Sequence, residues 1–184
     1  KYKSAQGAME VILGRGGDQA VIRENEIYKF YGGRAQEVEK RTKVKARVVA
    51  HALENLIKDA SKVMIMGHTN PDIDSMGSSM GIYRLVRSLG KKAYILDSND
   101  TNTLKSFKES LSKEPEYEDI LITKEVAEEN IDKETLVVIV DTHKSTYVEA
   151  PELLKRTDKI VIIDHHRRST DYIENATLTF QEVY

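Results

Sequence analysis

The sequence contains no cysteine and no tryptophan, and it has only three prolines in 184 residues. Without cysteine there is no disulfide framework and no thiolate metal site, so any metal ion must be held by imidazole and carboxylate groups. Long apolar runs are also missing, since none approaches the roughly 18 to 20 residues that a membrane-spanning helix needs. The first residues show no signal-peptide pattern. We therefore expect the chain as given to be soluble.

A strong excess of one charge is missing as well. The chain has 28 Lys and Arg residues against 30 Asp and Glu residues, which gives a formal net charge of -2. A nearly balanced charge argues against a protein that coats long nucleic acids, although a small anionic ligand is compatible with it. A hydrophobic content of 40% is ordinary for a globular protein.

The first third of the chain predicts a small N-terminal piece followed by a long helix. Helical spacing over residues 3–13 ends at the glycine-rich residues 14–17, and two short strands at 19–23 and 27–31 form a hairpin. Residues 34–60 predict one long helix, whose basic first half we interpret as a solvated face. A helix and one hairpin cannot bury a sizeable core alone. We interpret this piece as the end of an upstream domain with a linker helix.

From residue 61 the pattern alternates between short apolar strands and amphipathic helices. Strands of this kind, apolar on both faces, are typical of a parallel sheet covered by helices on both sides. We therefore predict an α/β fold with a doubly wound, mostly parallel sheet. The predicted strands are 62–66, 93–96, 136–140, 159–163 and 176–183, and the predicted helices are 76–89, 104–111, 124–130 and 148–155.

Three of the predicted strands are followed directly by acidic and imidazole side chains. The carboxyl ends of parallel strands meet at one edge of the sheet, where ligands bind in open α/β folds. Four of the five histidines fall in these clusters, whereas His51 lies in the predicted linker helix. In the first cluster Pro71 stiffens the turn, and Asp74 or Ser75 can cap a helix that begins at Met76. The clusters consist of His68, Asp72 and Asp74; of Asp141, Thr142 and His143; and of Asp164, His165 and His166.

These clusters predict a metal site with nitrogen and oxygen ligands. Such ligands suit Mn²⁺, Fe²⁺, Mg²⁺ or Zn²⁺, and several carboxylates in one cleft repel each other unless cations lie between them. Two ions bridged by one carboxylate can turn a bound water into hydroxide and stabilise a displacement at phosphorus. The chemistry predicted is hydrolysis of a phosphoester or a phosphoanhydride. The candidate ligands are His68, Asp72, Asp74, Asp141 and His165, while His143 and Asp164 could instead orient their neighbours.

The motifs resemble those of a known family. Gly-His-Thr-Asn-Pro-Asp-Ile-Asp-Ser at 67–75, Asp-Thr-His at 141–143 and Asp-His-His at 164–166 resemble the first three motifs of the DHH phosphoesterases. Residues 13–20 and 30–34 resemble the end of the degenerate GGDEF domain found in the membrane-anchored cyclic-di-AMP phosphodiesterases of the GdpP type. The resemblance therefore spans essentially the whole chain.

This resemblance implies a role for each motif residue. His68 and Asp72 would hold one Mn²⁺, and Asp74 and His165 would hold a second, with Asp141 bridging both. Asp141 and His166 would be the catalytic residues, with His166 towards the scissile phosphate as a substrate-binding group. The reaction implied is hydrolysis of cyclic di-AMP to linear pApA, in which hydroxide activated by two metal ions attacks phosphorus. Asn70, His143 and Asp164 would orient the ligands.

The resemblance also implies a domain organisation. Residues 1–33 would be the remnant of a degenerate GGDEF-like domain, 34–60 a linker helix, and 61–184 the first part of a DHH phosphoesterase domain. The family's fourth motif, with a further Asp ligand, and the substrate-binding DHHA1 domain would follow after Tyr184. In full length we expect a homodimer at the cytoplasmic face of the cell membrane, attached through segments absent from this sequence.

Other functions stay open on the sequence alone. The three motifs equally admit an oligoribonuclease, a single-strand exonuclease or an inorganic pyrophosphatase, and only the upstream residues favour a cyclic dinucleotide. A non-catalytic piece that binds metal weakly and serves in interdomain coupling or dimerisation is the alternative from another class.

Overall fold

The computed structural model describes residues 5–6, 8–9, 19–24, 27–32, 35–97, 104–117, 119–167 and 169–182. The chain forms two compact units, residues 1–47 and residues 48–184. In the first unit, β1 (Gln19–Glu24) and β2 (Ile27–Gly32) form the predicted antiparallel hairpin. Residues 5, 6, 8 and 9 are helical, and the other positions of the helix predicted over 3–13 lie outside the described residues. The origin of this unit in a GGDEF domain stays a prediction.

The long helix α1 (Ala35–Asp59) matches the helix predicted over 34–60, and its role as a linker stays a prediction. In the second unit, the last turns of this helix bury Leu53 and Ile57 in the core. Their apolar side chains lie together with Val63 and Ile65 of the first strand that follows. The end of α1 therefore covers one face of the sheet in the second unit.

The second unit contains a six-stranded parallel sheet, which confirms the predicted α/β fold. The strands lie in the order β5-β4-β3-β6-β7-β8, so the chain moves outwards from β3 in one direction and then from β6 in the other. This order is that of a doubly wound sheet, and it places the switch point between β3 and β6. The strands are β3 (Val63–Met66), β4 (Ala93–Leu96), β5 (Leu121–Ile122), β6 (Leu136–Val140), β7 (Ile160–Asp164) and β8 (Leu178–Gln181).

Both faces of the sheet are buried, as the apolar strand runs predict. In β3, Val63 and Ile65 pack into one core, and Met64 and Met66 pack into the core on the opposite face. Successive side chains in a strand point to opposite faces, so a strand covered on both sides must be apolar throughout. The helices that cover the sheet are α1, α2 (Ile73–Ser88), α3 (Lys105–Leu111) and α4 (Lys124–Asn130), with short 3₁₀ helices at Pro115–Tyr117 and Pro151–Lys155.

Two helix predictions were wrong. The helix after β3 begins at Ile73 rather than Met76, because the Asp72 side chain accepts the backbone N–H groups of Asp74 and Ser75 and so caps the helix itself. The helix predicted over 148–155 is only a 3₁₀ helix from Pro151. Val148 instead forms an isolated antiparallel bridge with His68, which holds the backbone there extended.

Among the described residues, no helix combines the length and apolar character needed to cross a bilayer.

Candidate metal centre and active site

A cavity of about 460 Å³ opens at the carboxyl edge of the sheet, beside the switch point between β3 and β6. Its walls come from the loops that follow β3, β6 and β7, which are the three strands whose ends the sequence singled out. The structure therefore brings the three predicted clusters to one place. The predicted site residues that line this cavity are His68, Asp72, Asp74, Asp141, His143, His165 and His166.

The loop after β3 passes very close to the first turn of α2 at Gly67. A Cβ atom at this position would lie only 2.0 Å from the Oγ of Ser75, which is buried in the first turn of α2. Because Gly67 has no side chain, the first turn of α2 can pack against the end of β3. The result is that His68 is buried at 7% exposure while the exposed Asp72 caps the helix beside it.

Asp141 lies at the centre of the site in a strained backbone conformation. It directly follows β6 with a φ of 59°, a region that residues other than glycine rarely adopt. Its Oδ2 lies 3.5 Å from His68 Nε2, and its Oδ1 lies 3.1 Å from His165 Nε2. Burial, together with the nearby charge of Asp72, raises the pKa of the Asp141 carboxyl. The two oxygens of one carboxylate thus face two different histidines.

Two groups of possible metal ligands share this aspartate. In each group the ligand atoms all lie within 4.8 Å of one another; the groups are His68, Asp72 and Asp141, and Asp141, His165 and His166. Asp74, predicted to act with His165, is exposed and lines the cavity but belongs to neither group. Among the described residues, it is therefore His166 and not Asp74 that belongs to the group with His165. The assignment of each residue as a ligand stays a prediction.

The residues of both groups fit divalent cations. Among the described residues, the buried atoms Asp141 Oδ1 and His68 Nδ1 have no hydrogen-bond partner. His165 Nε2 approaches Asp141 Oδ1 without making a hydrogen bond, although the two atoms are 3.1 Å apart. A buried carboxylate oxygen without a hydrogen-bond partner destabilises the fold, and a cation bound to Asp141 would compensate for the missing partner. A donor set of imidazole and carboxylate groups is the set that Mn²⁺, Fe²⁺ or Zn²⁺ accepts.

His143 has no ring nitrogen left for a metal ion. Its Nε2 accepts the backbone N–H of Ser169 at 3.0 Å, so the proton belongs on Nδ1, which donates to Asp164 Oδ2. Burial raises the pKa of the Asp164 carboxyl, but the hydrogen bonds from His143 and His166 outweigh it, and the net pKa is lowered. The role of His143 and Asp164 in orienting their neighbours stays a prediction.

Asp164 also orients His166. Its Oδ1 accepts the backbone N–H of His166 at 3.2 Å and lies 2.8 Å from that residue's Nδ1. Gln181 Nε2, from β8, donates to the His166 carbonyl at 2.7 Å. Asn70, by contrast, is exposed and is not among the described residues that line the cavity.

Sequence reasoning missed several residues of the cavity. Lys144, Tyr147, Arg167 and Ser169 line it, although none was singled out. Their only signal in the sequence is that they follow the second and third motifs within a few residues. That position predicts the correct edge of the sheet, but it does not predict which side chains turn inwards.

Comparison with known proteins agrees with this geometry. The family model for the N-terminal domain of the DHH family matches residues 62–184, which include all three clusters. The chain belongs to the DHH family. This confirms the resemblance drawn from the motifs.

Relatives in the DHH family match almost the whole chain. It is 42% identical over 183 residues to "Cyclic-di-AMP phosphodiesterase GdpP" of Geobacillus thermodenitrificans, with 98% of this chain and 28% of that protein covered. It is 39% identical over 183 residues to "Cyclic-di-AMP phosphodiesterase PdeA" of Listeria monocytogenes, again covering 98% of this chain and 28% of that protein. The chain therefore spans less than a third of the length of these relatives.

A solved structure supports the fold. An exopolyphosphatase-related protein from Bacteroides fragilis superposes with a TM-score of 0.59 at 22% sequence identity, covering 74% of this chain and 39% of that one. At this identity the likeness concerns the arrangement of the sheet and helices of the DHH domain.

Proposed function

We propose that this chain carries the metal centre of a phosphodiesterase that hydrolyses cyclic di-AMP to linear pApA. The observation that carries the proposal is the position of Asp141, whose two oxygens face His68 and His165 separately. A carboxylate shared by two cations is characteristic of enzymes that clamp a phosphate between two metal ions. The membership in the DHH family supports the same reaction class.

We further propose two Mn²⁺ ions at this centre. His68, Asp72 and Asp141 would hold one ion, and Asp141 and His165 would share the second with Asp74 after rotation of its exposed side chain. Ions of this kind, when bound, lower the pKa of a coordinated water and stabilise negative charge that develops at phosphorus.

The remaining side chains of the cavity suit a phosphate ligand. With Nδ1 of His166 engaged by Asp164, Nε2 is the ring nitrogen available to hydrogen-bond a phosphate oxygen or the leaving group. Lys144 and Arg167 add two positive charges to the cavity wall, which attract an anionic substrate and orient it. We assign these residues to binding and orienting the substrate, and we assign the displacement at phosphorus to the groups around Asp141.

The preference for a cyclic dinucleotide rests on the upstream residues. The likeness to the two cyclic-di-AMP phosphodiesterases covers 98% of this chain, whereas the family model starts only at residue 62. An oligoribonuclease or a pyrophosphatase would need only the part that the family model matches, residues 62–184. A homodimer and attachment to the membrane stay predictions.

The test uses a chimeric enzyme in which residues 1–184 replace the matching segment of the Geobacillus thermodenitrificans relative. With Mn²⁺ present, we expect cyclic di-AMP to be converted to pApA with a higher kcat/KM than short oligoribonucleotides or inorganic pyrophosphate. Asp141→Ala should abolish turnover through kcat, whereas His143→Ala should lower it less, since His143 only orients Asp164.

The control is the unmodified relative, assayed with the same substrates and at the same Mn²⁺ concentration. If Asp141→Ala and His143→Ala cause equal and mild losses of turnover, Asp141 is not the carboxylate that both ions share. Mn²⁺ binding without turnover of any of the three substrates would favour the non-catalytic alternative.

A further inference from the structure

Tyr147 lies against His68 in a face-to-face stack. The two ring centroids are 5.1 Å apart and the planes differ by only 5°. Tyr147 is 40% exposed and lines the cavity, whereas His68 is buried behind it. One side of the His68 imidazole is therefore covered by an aromatic ring of this chain.

Within the described part of the chain, His68 has no hydrogen bond of the kind that usually orients a metal-binding histidine. Such a histidine normally donates its second ring N–H to a carboxylate or a carbonyl, which fixes the direction of the ring. Nε2 of His68 faces Asp141 and Asp72, but among the described residues its buried Nδ1 has no partner. The stack with Tyr147 is thus a contact that can fix the plane of this ring.

The backbone around Tyr147 is tied to the backbone around His68. The Tyr147 carbonyl accepts both the backbone N–H and the side-chain hydroxyl of Thr69, each at 2.9 Å. Val148 forms an antiparallel bridge with His68, and the backbone N–H of Glu149 donates to the Gly67 carbonyl at 3.0 Å. The two segments behave as a short pair of strands, so the backbone of Tyr147 is held beside His68, within reach of the imidazole.

Asp171 anchors the turn that precedes Tyr147. Its Oδ1 accepts the backbone N–H of Ser145 at 3.1 Å and the Ser145 hydroxyl at 2.6 Å. Its Oδ2 accepts the backbone N–H of Thr146 at 3.4 Å as well as the Thr146 hydroxyl. These hydrogen bonds lower the pKa of the Asp171 carboxyl, which is therefore charged near neutral pH. One carboxylate thus holds two consecutive residues of the turn.

We propose that Tyr147 is a positioning residue for the metal centre: its ring holds the His68 imidazole in the plane that directs Nε2 at Asp141, and Asp171 holds Tyr147 in place through the turn at Ser145 and Thr146. This inference rests on the proposed metal site. It assigns Tyr147 a role through His68 and not through the substrate.

The test measures Mn²⁺ binding to the purified chain by calorimetric titration. Tyr147→Leu keeps apolar bulk but removes the planar ring, and we expect it to weaken binding at the His68 site by about tenfold or more, the usual effect of losing a group that orients a ligand. Tyr147→Phe keeps the ring and should bind within about twofold of the unchanged chain. Asp171→Ala should weaken binding less than Tyr147→Leu, because the bridge between Val148 and His68 remains.

A second readout follows the His68 ring in the metal-free chain. The ring current of Tyr147 shifts the His68 ring protons in the NMR spectrum, and this shift should survive in Tyr147→Phe and disappear in Tyr147→Leu. Leu89→Ala, which destabilises the far end of α2, controls for a general loss of stability. Asp158→Asn, an exposed aspartate away from the cavity, controls for loss of charge.

The outcomes separate the two proposals. Mn²⁺ binding that is unchanged in Tyr147→Leu overturns the positioning role while leaving the metal centre intact. An unchanged chain that shows the ring-current shift but binds no Mn²⁺ overturns the metal centre, and the positioning role with it. If Leu89→Ala weakens Mn²⁺ binding as much as Tyr147→Leu does, the effect of Tyr147→Leu is a general loss of stability. This outcome would also overturn the positioning role.

Discussion

At the scale of single residues, Asp141 combines features that oppose folding. It is buried, its φ of 59° is unfavourable for a residue with a side chain, and among the described residues its Oδ1 has no hydrogen-bond partner. Burial and the charge of Asp72 both raise the pKa of its carboxyl, so the charged form is disfavoured in the absence of a cation. Strain of this kind persists where function requires it.

Asp141→Asn should therefore stabilise the metal-free chain while weakening metal binding. Asparagine tolerates a positive φ and carries no charge, so we expect the free energy of unfolding to rise by about 1 kcal/mol. Chemical denaturation in EDTA measures this gain, and titration with Mn²⁺ measures the loss of affinity. A variant that is both less stable and unchanged in Mn²⁺ binding would contradict the prediction.

At the scale of elements, the junction between β3 and α2 decides how the first motif is presented. Gly67 directly follows β3 and lies against Ser75 in the first turn of α2. Asp72 caps this helix. The sequence predicts the strand, the turn and the helix here. The cap predicted from the sequence, Asp74 or Ser75, was wrong, because several neighbouring side chains are suitable acceptors and the choice of Asp72 depends on the path of the backbone.

Gly67→Ala should disrupt this junction. The added methyl group would lie 2.0 Å from Ser75 Oγ, and overpacking of this kind costs about 1 to 3 kcal/mol of unfolding free energy. Denaturation curves of the single variant and of Gly67→Ala/Ser75→Ala measure the effect. Because the Ser75 Cβ at 3.4 Å and the Val140 carbonyl oxygen at 3.7 Å would be at ordinary contact distances, the double variant should regain most of the stability. A double variant as unstable as the single one would show that Ser75 Oγ is not the cause.

Another contact between elements links the start of β3 to the turn before β6. Asp132 accepts hydrogen bonds from Ser61 and Thr135 and pairs with Lys62 at 3.0 Å. Its pKa is lowered to about 2, chiefly by Lys62. A lowered carboxyl pKa stabilises the fold above the unfolded-state value of 3.8, and that stability is lost as the pH falls through about 2.

Asp132→Asn should thus destabilise the chain near neutral pH but not in acid. Asparagine keeps an acceptor oxygen for the neighbouring donors and loses only the charge. Since the Asp132 side chain is 48% exposed, we expect a loss of no more than about 1 kcal/mol. Unfolding free energies measured at neutral pH and near the folded pKa test this. A difference that persists at the acidic end would rule out the ion pair as its source.

At the scale of the whole molecule, the sequence predicted the sheet well and the cavity only partly. The apolar runs of β3, β6 and β7 fix both their burial and the edge at which His68, Asp141 and His165 meet. The strand β5 was missed because two residues, Leu121 and Ile122, carry no periodic pattern. The contact between Tyr147 and His68 and the hydrogen bonds of Asp171 depend on how separate loops pack, and a linear pattern does not encode this.

The chain as given should hydrolyse cyclic di-AMP very poorly, even in excess Mn²⁺. The chain matches only 28% of the length of the two cyclic-di-AMP phosphodiesterases, and a substrate site that uses the rest of such a protein is incomplete in the matched segment. Positioning of reacting groups contributes roughly 7 to 11 kcal/mol to the barrier in well-oriented systems. A product assay for pApA and a Mn²⁺ titration should both improve in the chimeric enzyme. Full activity of the 184-residue chain would show that it already contains a complete site.

The strand order has a consequence for how the protein is made. The central pair, β3 and β6, joins residues that are far apart in the chain, and β7, which precedes His165, pairs later still along the sequence. Contacts of such long range form slowly and only after the intervening chain exists. We expect a nascent chain that has not yet reached β7 to contain the group His68, Asp72 and Asp141 but to lack His165. Binding of a second metal ion should therefore be a late event of biosynthesis, possible only once His165 has left the exit tunnel.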